Sequence, residues 1–235
     1  MGALEDRHAV TDGGVKGPLK VVAPVALGQL QLADVALRFQ MRYPRVALTW
    51  QLEDHPIRFA EVGCDCWIKV GPVPDETLIV RRLARVERLV VASPDLIGDR
   101  PISGPDDVTG LPFIALSPYE GCRVGLTSAK GTKTDIAPNV RISTNNILAA
   151  HRGAVMGAGA AILPRWFIEN DLASGRLVDL LTDWRAATLD INAAYLPARH
   201  QPKRLALFLD VVEQGVREIP GVNGAETTDD KKIQA

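Results

Sequence analysis

Lys20-Val-Val-Ala-Pro-Val-Ala-Leu-Gly28 decides the fold. It reads as a short apolar strand that breaks at Pro24, with a helix restarting after Gly28, since proline cannot donate to a strand ladder. Phe39-Gln-Met-Arg-Tyr-Pro44 and a second strand, 46–52, follow. A strand, a tight turn and a helix whose N-terminus faces the strand's carboxyl end form half of an α/β ligand site, because unpaired amides collect there.

Outward from this unit, strand and helix patterns alternate. Residues 19–23 read as a strand, 28–42 as a helix, 46–52 as a strand, 57–62 as a short helix and 66–70 as a strand. Such alternation predicts a parallel sheet wrapped by helices. Further strands are expected at 88–92, 113–116, 122–127, 139–142, 160–163 and 191–196. Helices are expected at 146–156, from Arg165 onward, and after Pro202, where Leu205, Phe208, Leu209, Val212, Val216 and Ile219 recur at helical spacing. Residues 101–112, with Gly104-Pro105 and Gly110, read as a surface connection.

The helix over 28–42 carries two apolar faces. Leu30, Ala33, Leu37 and Met41 fall on one, and Leu32, Val35, Ala36 and Phe39 nearly opposite. One face covers the sheet. The other is expected to meet a second subunit, and Leu32, Ala36 and Phe39 are assigned to that contact in a homodimer or tetramer.

The chain has 235 residues, 46% of them hydrophobic, enough for one large domain or two modest lobes. A formal net charge of −1 provides no global field for nucleic acid or an anionic membrane. No stretch approaches the roughly 20 apolar residues of a membrane span, and the polar start lacks the apolar middle of a secretory signal, so a cytoplasmic location is expected. Of three cysteines, Cys64 and Cys66 sit two apart at a strand entrance, poor geometry for a disulfide, and read as buried small hydrophobes. Neither a metal nor a cofactor is expected.

Six fragments in order resemble the effector-binding domain of LysR-type transcriptional regulators. They are 17–28, Arg42-Tyr-Pro44, Gly63-Cys-Asp65 before Ile68-Lys-Val-Gly71, Val91-Ala-Ser-Pro94, Pro105-Asp-Asp-Val108 and Gly157-Ala-Gly-Ala-Ala-Ile-Leu-Pro164. The resemblance covers about residues 17–217. It implies an α/β fold of the type-2 periplasmic-binding-protein kind, two lobes joined by two crossing strands with a ligand cleft between. Crossings are expected near 92–94 and 196–197. Residues 17–92 with 198–219 then form lobe I and 93–197 lobe II, flanked by a linker remnant at 1–16 and a disordered tail at 220–235. The family's winged helix-turn-helix is not among these residues, and Leu4-Glu-Asp-Arg-His-Ala-Val10 reads as the end of its linker helix. The chain is therefore expected to be a piece of a longer regulator, reaching DNA only through that missing domain; the alternative is a natural protein made of the effector domain alone.

Candidate ligand contacts lie where the resemblance and turn chemistry agree. Pro24, Val25 and Ala26 lie in the stretch that precedes the first long helix, and Asn145 and Asn146 stand at the start of a helix of the second lobe, two helix N-termini suited to a small organic acid. Glu53 and Asp54 follow the second strand, where the family often contacts its effector; their charge suits an amine, a hydroxyl or a bridging water. Val70, Ser93, Ser117, Pro164 and Trp166 complete the set as apolar wall and hydroxyls. Lys69 carries less weight, because strand alternation points it away from Val70 unless the strand ends there.

Enzymatic signatures are missing: there is no Gly-x-Ser-x-Gly, no His-Glu-x-x-His and no phosphate loop. Gly157-x-Gly159 precedes a strand instead of following one, and reads as a tight turn. A non-enzymatic, effector-sensing domain is expected. The alternative is a solute-binding protein of a transport system with the same fold.

Overall fold

The computed structural model describes residues 14–117 and 123–224. The chain enters along β1 (Gly17–Ala23), then α1 (Val25–Leu30) and α2 (Ala33–Arg42). It continues through β2 (Val46–Leu52), α3 (Phe59–Val62), β3 (Cys66–Val70) and the long β4 (Ile79–Ala92). Next come α4 (Pro94–Ile97), α5 (Pro105–Thr109), β5 (Pro112–Leu116), β6 (Val124–Ser128), β7 (Lys133–Ile136), β8 (Asn139–Thr144) and α6 (Ile147–Val155). Then follow β9 (Ala160–Pro164), α7 (Arg165–Ala173), β10 (Val178–Asp179), the second long strand β11 (Trp184–Tyr195), α8 (Lys203–Arg217) and β12 (Val222–Gly224).

One sheet runs through the whole molecule in the order β2-β1-β3-β11-β4-β9-β5-β8. It is mixed, not wholly parallel. β1 pairs parallel with β2 and β3, and β9 with β5 and β5 with β8, but β11 and β4 run antiparallel to their neighbours in the middle. Those two strands are shared by the lobes. On β4, residues up to Arg88 pair with β11 and Arg88–Val91 with β9; on β11, Ile191–Ala194 pair with β3 and Trp184–Ala186 with β6. The exchange of partners thus falls inside the strands, ahead of the expected 92–94 and 196–197.

Each lobe has three layers because its strands alternate faces with period two. In lobe I, Leu19, Val21 and Ala23 face the core under α2 and α8, and Val22 faces the smaller core around Phe59 and Trp67. In lobe II, Ala160 and Ile162 join Val108 and Leu111, while Ala161 and Leu163 join Ala150, Ala154 and Ile168. All these side chains are buried. At 25 cal/mol per Å² or so, these four apolar cores supply the main stabilising contribution.

The expected single helix over 28–42 is two helices. Leu32 N–H reaches back to Leu27 O at 3.0 Å, breaking the ladder before α2 begins. The assignment of Leu32, Ala36 and Phe39 to a subunit contact is corrected: their exposures are 0%, 2% and 1%. Phe39 packs edge-on against Phe208 of α8, with centroids 5.2 Å apart. The opposite face, Leu30, Leu37 and Met41, is the exposed one.

Other expectations shift at their edges. β7 and β10 were not foreseen, and Val222–Gly224 pairs with β4 where a disordered tail was expected. The fragment at 4–10, and Cys122, lie outside the described residues. Cys64 and Cys66 are buried and unpaired, with burial pushing their thiols up, Cys64 to about 11. Gly157 closes α6 with φ 77°, its N–H on Ala154 O and the next N–H on Gly153 O, the paired closure that glycine favours after a helix. Gly159, two residues on, lies so close to the Pro112 carbonyl that a Cβ would stand 2.9 Å from it.

Candidate functional site

Between the lobes lies a cleft holding a cavity of about 90 Å³. That is smaller than the ~150 Å³ cavity known to admit benzene. Nine of the twelve expected contacts line it: Pro24, Ala26, Glu53, Asp54, Val70, Ser117, Asn145, Pro164 and Trp166. Val25 and Asn146 stand just behind, their polar atoms bonded to Asp54. Ser93 is corrected: it does not line the cleft, and its hydroxyl caps α4 by accepting from Leu96 N–H.

The local geometry changes the electrostatic reading. α1 begins at Val25, not after Gly28, and the Val25 N–H donates to Asp54 Oδ1 at 2.9 Å. The chain's own carboxylate therefore takes the amide that opens this helix. On the facing wall Asn146 caps α6, its Oδ1 accepting from Ala149 N–H at 3.1 Å, while its Nδ2 donates to Asp54 Oδ2 at 3.0 Å. Glu53 Oε1 accepts from the backbone N–H of His55 and lies 2.8 Å from His55 Nδ1, and these bonds hold its carboxyl below the usual range. Both acids are thus engaged within the protein.

The cations of the cleft are Lys69 and Arg88. β3 ends at Val70, so Lys69 and Val70 both line the cavity. The Lys69 ammonium stands over the Trp67 ring, 5.3 Å from its centroid, and burial lowers its pKa. No carboxylate among the described residues pairs with it. Arg88, buried at the exchange point of β4, donates from Nε and a terminal nitrogen to Ala187 O at 2.9 and 2.7 Å. That carbonyl belongs to a register shift in β11 between Ala186 and Leu189, where the ladder cannot satisfy it. Leu27, Val86, Ile147, Ile162, Leu189 and Trp67 supply apolar wall that sequence reasoning did not name. Trp166 opens α7 beyond the second lobe's β9, yet its ring joins the core of lobe I, so it ties the lobes through apolar contact.

Among the described residues no group of three or more acidic, histidine or cysteine side chains is placed to hold a metal, and no helix is long and apolar enough to cross a membrane. Among the described residues the cleft offers an apolar chamber with a half-buried lysine that no carboxylate pairs, set between two lobes that share two strands.

The comparisons with known proteins agree with that description. Residues 12–217 match the LysR substrate binding domain, and the chain belongs to that family. It is 26% identical over 220 residues to the HTH-type transcriptional regulator PtxR of Pseudomonas aeruginosa, covering 93% of this chain and 70% of that one. The HTH-type transcriptional regulator CrgA of Neisseria meningitidis is 26% identical over 214 residues, covering 89% and 71%. Among solved structures, the CrgA regulatory domain superposes with a TM-score of 0.68 at 25% identity, covering 85% of this chain and 98% of that one. The regulatory domain of AphB from Vibrio vulnificus gives 0.64 at 26%, covering 85% and 98%. The chain is thus an effector-binding domain of LysR type, with the periplasmic-binding-protein-like type-2 fold.

Proposed function

We propose that this domain senses a small organic acid in the cleft between its lobes and, in the cytoplasm, transmits its presence to a winged helix-turn-helix elsewhere in the regulator. The observation that carries the reading is Lys69: a half-buried cation over an aromatic ring, with no carboxylate partner among the described residues, at the wall of an apolar cavity. Burying a cation without a counter-ion is costly, and an anionic ligand relieves that cost. Glu53 and Asp54 keep their charge, but their oxygens are turned to His55, Val25 and Asn146, so an anion is placed against Lys69 and away from them. The ligand acts on DNA binding only through its different affinity for two lobe arrangements, and no turnover of it is required.

Assembly belongs to the same reading. Leu30, Leu37 and Met41 on the first lobe, and Val140, Ile142, Leu148 and Met156 on the second, are exposed apolar side chains on each copy of the chain. A two-fold pairing of lobe I on lobe II would cover both sets.

A thermal-shift screen of aromatic and short aliphatic acids tests the effector reading, because a ligand bound to the native state raises the melting temperature. Stabilisation by an acid that disappears in Lys69→Gln supports it. Equal stabilisation of the variant overturns the assignment of Lys69 to the anion.

A further inference from the structure

Two hydrogen-bonded bridges span the cleft, and both start from the same three residues. Glu53, Asp54 and His55 follow β2 in lobe I; Asn145 and Asn146 precede α6 in lobe II. In the first bridge Asp54 joins Val25 N–H on its own lobe to Asn146 Nδ2 on the other. In the second, Glu53 Oε1 lies 2.8 Å from His55 Nδ1, and His55 Nε2 lies 3.0 Å from Asn145 Nδ2. A carboxylate only accepts, so Nδ1 carries the proton and Nε2 presents its lone pair to the Asn145 amide.

We propose that residues 53–55 form a clasp that holds the two lobes closed at the rim of the cleft. The anchors on each side are fixed before they meet. Asn146 is oriented by its own helix, through Ala149 N–H on its Oδ1 and through its backbone N–H on Thr144 Oγ1, 3.1 Å each. His55 is held by two bonds to one glutamate oxygen and is followed by Pro56, which stiffens the turn. The His55–Asn145 bridge sits in water, the His55 side chain being 73% exposed, while the Asp54–Asn146 bond is partly buried. Individual hydrogen bonds contribute modest net free energy, so a clasp made of two of them opens readily. That is what a closure needs if a ligand is to enter past it.

The test contains no ligand, so its outcome is separate from the fate of the effector reading. Asn145→Ala with Asn146→Ser cuts both bridges while serine preserves the α6 cap. The wild-type and doubly substituted chains are compared by small-angle scattering and by amide hydrogen exchange. The clasp predicts a larger radius of gyration and exchange accelerated about tenfold in residues 53–56 and in the first turn of α6, with the β9 amides unchanged. His55→Ala, on an exposed loop that cannot unfold the chain, is expected to give a smaller change of the same kind. If both variants scatter and exchange as the wild type does, the lobes are held by their shared strands and apolar contacts alone, and the clasp is refuted.

Discussion

Replacing Phe39 by aspartate and, separately, Met41 by aspartate puts the same charge two residues apart on α2, and the structure assigns them opposite consequences. Phe39 is 1% exposed and sits between Tyr43, 5.0 Å away, and Phe208, whose ring meets it at 86°. Deleting a buried phenylalanine costs about 3–5 kcal/mol. An unpaired carboxylate in that place adds several kcal/mol more, through desolvation or forced protonation. Against a total stability of about 5–15 kcal/mol, the Phe39→Asp chain loses the core of lobe I or fails to fold. Met41, at 76% exposure, makes no such demand, and Met41→Asp is expected to stay within about 0.5 kcal/mol of wild type. Urea unfolding followed by tryptophan fluorescence reports this directly, since Trp50 and Trp166 belong to or pack on the same core. Sedimentation of the same samples shows whether Met41→Asp weakens self-association. A folded Phe39→Asp chain with the wild-type urea midpoint would refute the placement of this face. Undiminished self-association in a Leu37→Asp, Met41→Asp double variant would refute the exposed stripe as a contact.

Three further outcomes follow from the geometry. Burial depresses the pKa of Lys69, so between its folded and unfolded values the native state holds fewer protons and stability rises with pH; a bound acid reverses this. Effector binding is therefore expected to take up a proton at alkaline pH and to weaken as pH rises, which calorimetry in buffers of different ionisation enthalpy measures. Gly159→Ala drives a Cβ against the Pro112 carbonyl, and a loss of about 1–3 kcal/mol is expected in denaturant titration. Asn145→Leu removes the amide facing His55 at the cleft wall and is expected to abolish an acid-induced melting shift while the unliganded melting temperature stays near wild type.

How much of this was legible in the sequence depends on how local each feature is. The strand ending at Pro24, the Asn146 cap, the strand ending at Pro164 and the Pro202 start of α8 are written in turn and cap chemistry, and they place most of the cleft lining. The orientation of α2 is not local. Both its faces are apolar, and Phe208, about 170 residues along the chain, decides which is buried. Arg88 was invisible for a similar reason, since its role depends on a carbonyl of β11 freed by a register shift. The pairing of Asp54 with Val25 N–H likewise needs β1 and β2 side by side, and it alters which group in the cleft is left to meet an anion.

The sharing of β4 and β11 also sets an order of events during synthesis. β11 fills the slot between β3 and β4, and about 110 residues separate Val70 from Trp184. At the ~5–20 residues per second of translation, the first strands made wait many seconds for the strand that seals them and for α8, which covers their core. The strands of the second lobe, from Arg88 on β4 through Pro164, emerge together and pair with one another meanwhile. The middle of this polypeptide is therefore expected to fold before its beginning. A ribosome stalled short of Trp184 would carry a nearly finished second lobe beside an open, apolar sheet edge, the part of the nascent protein most exposed to aggregation.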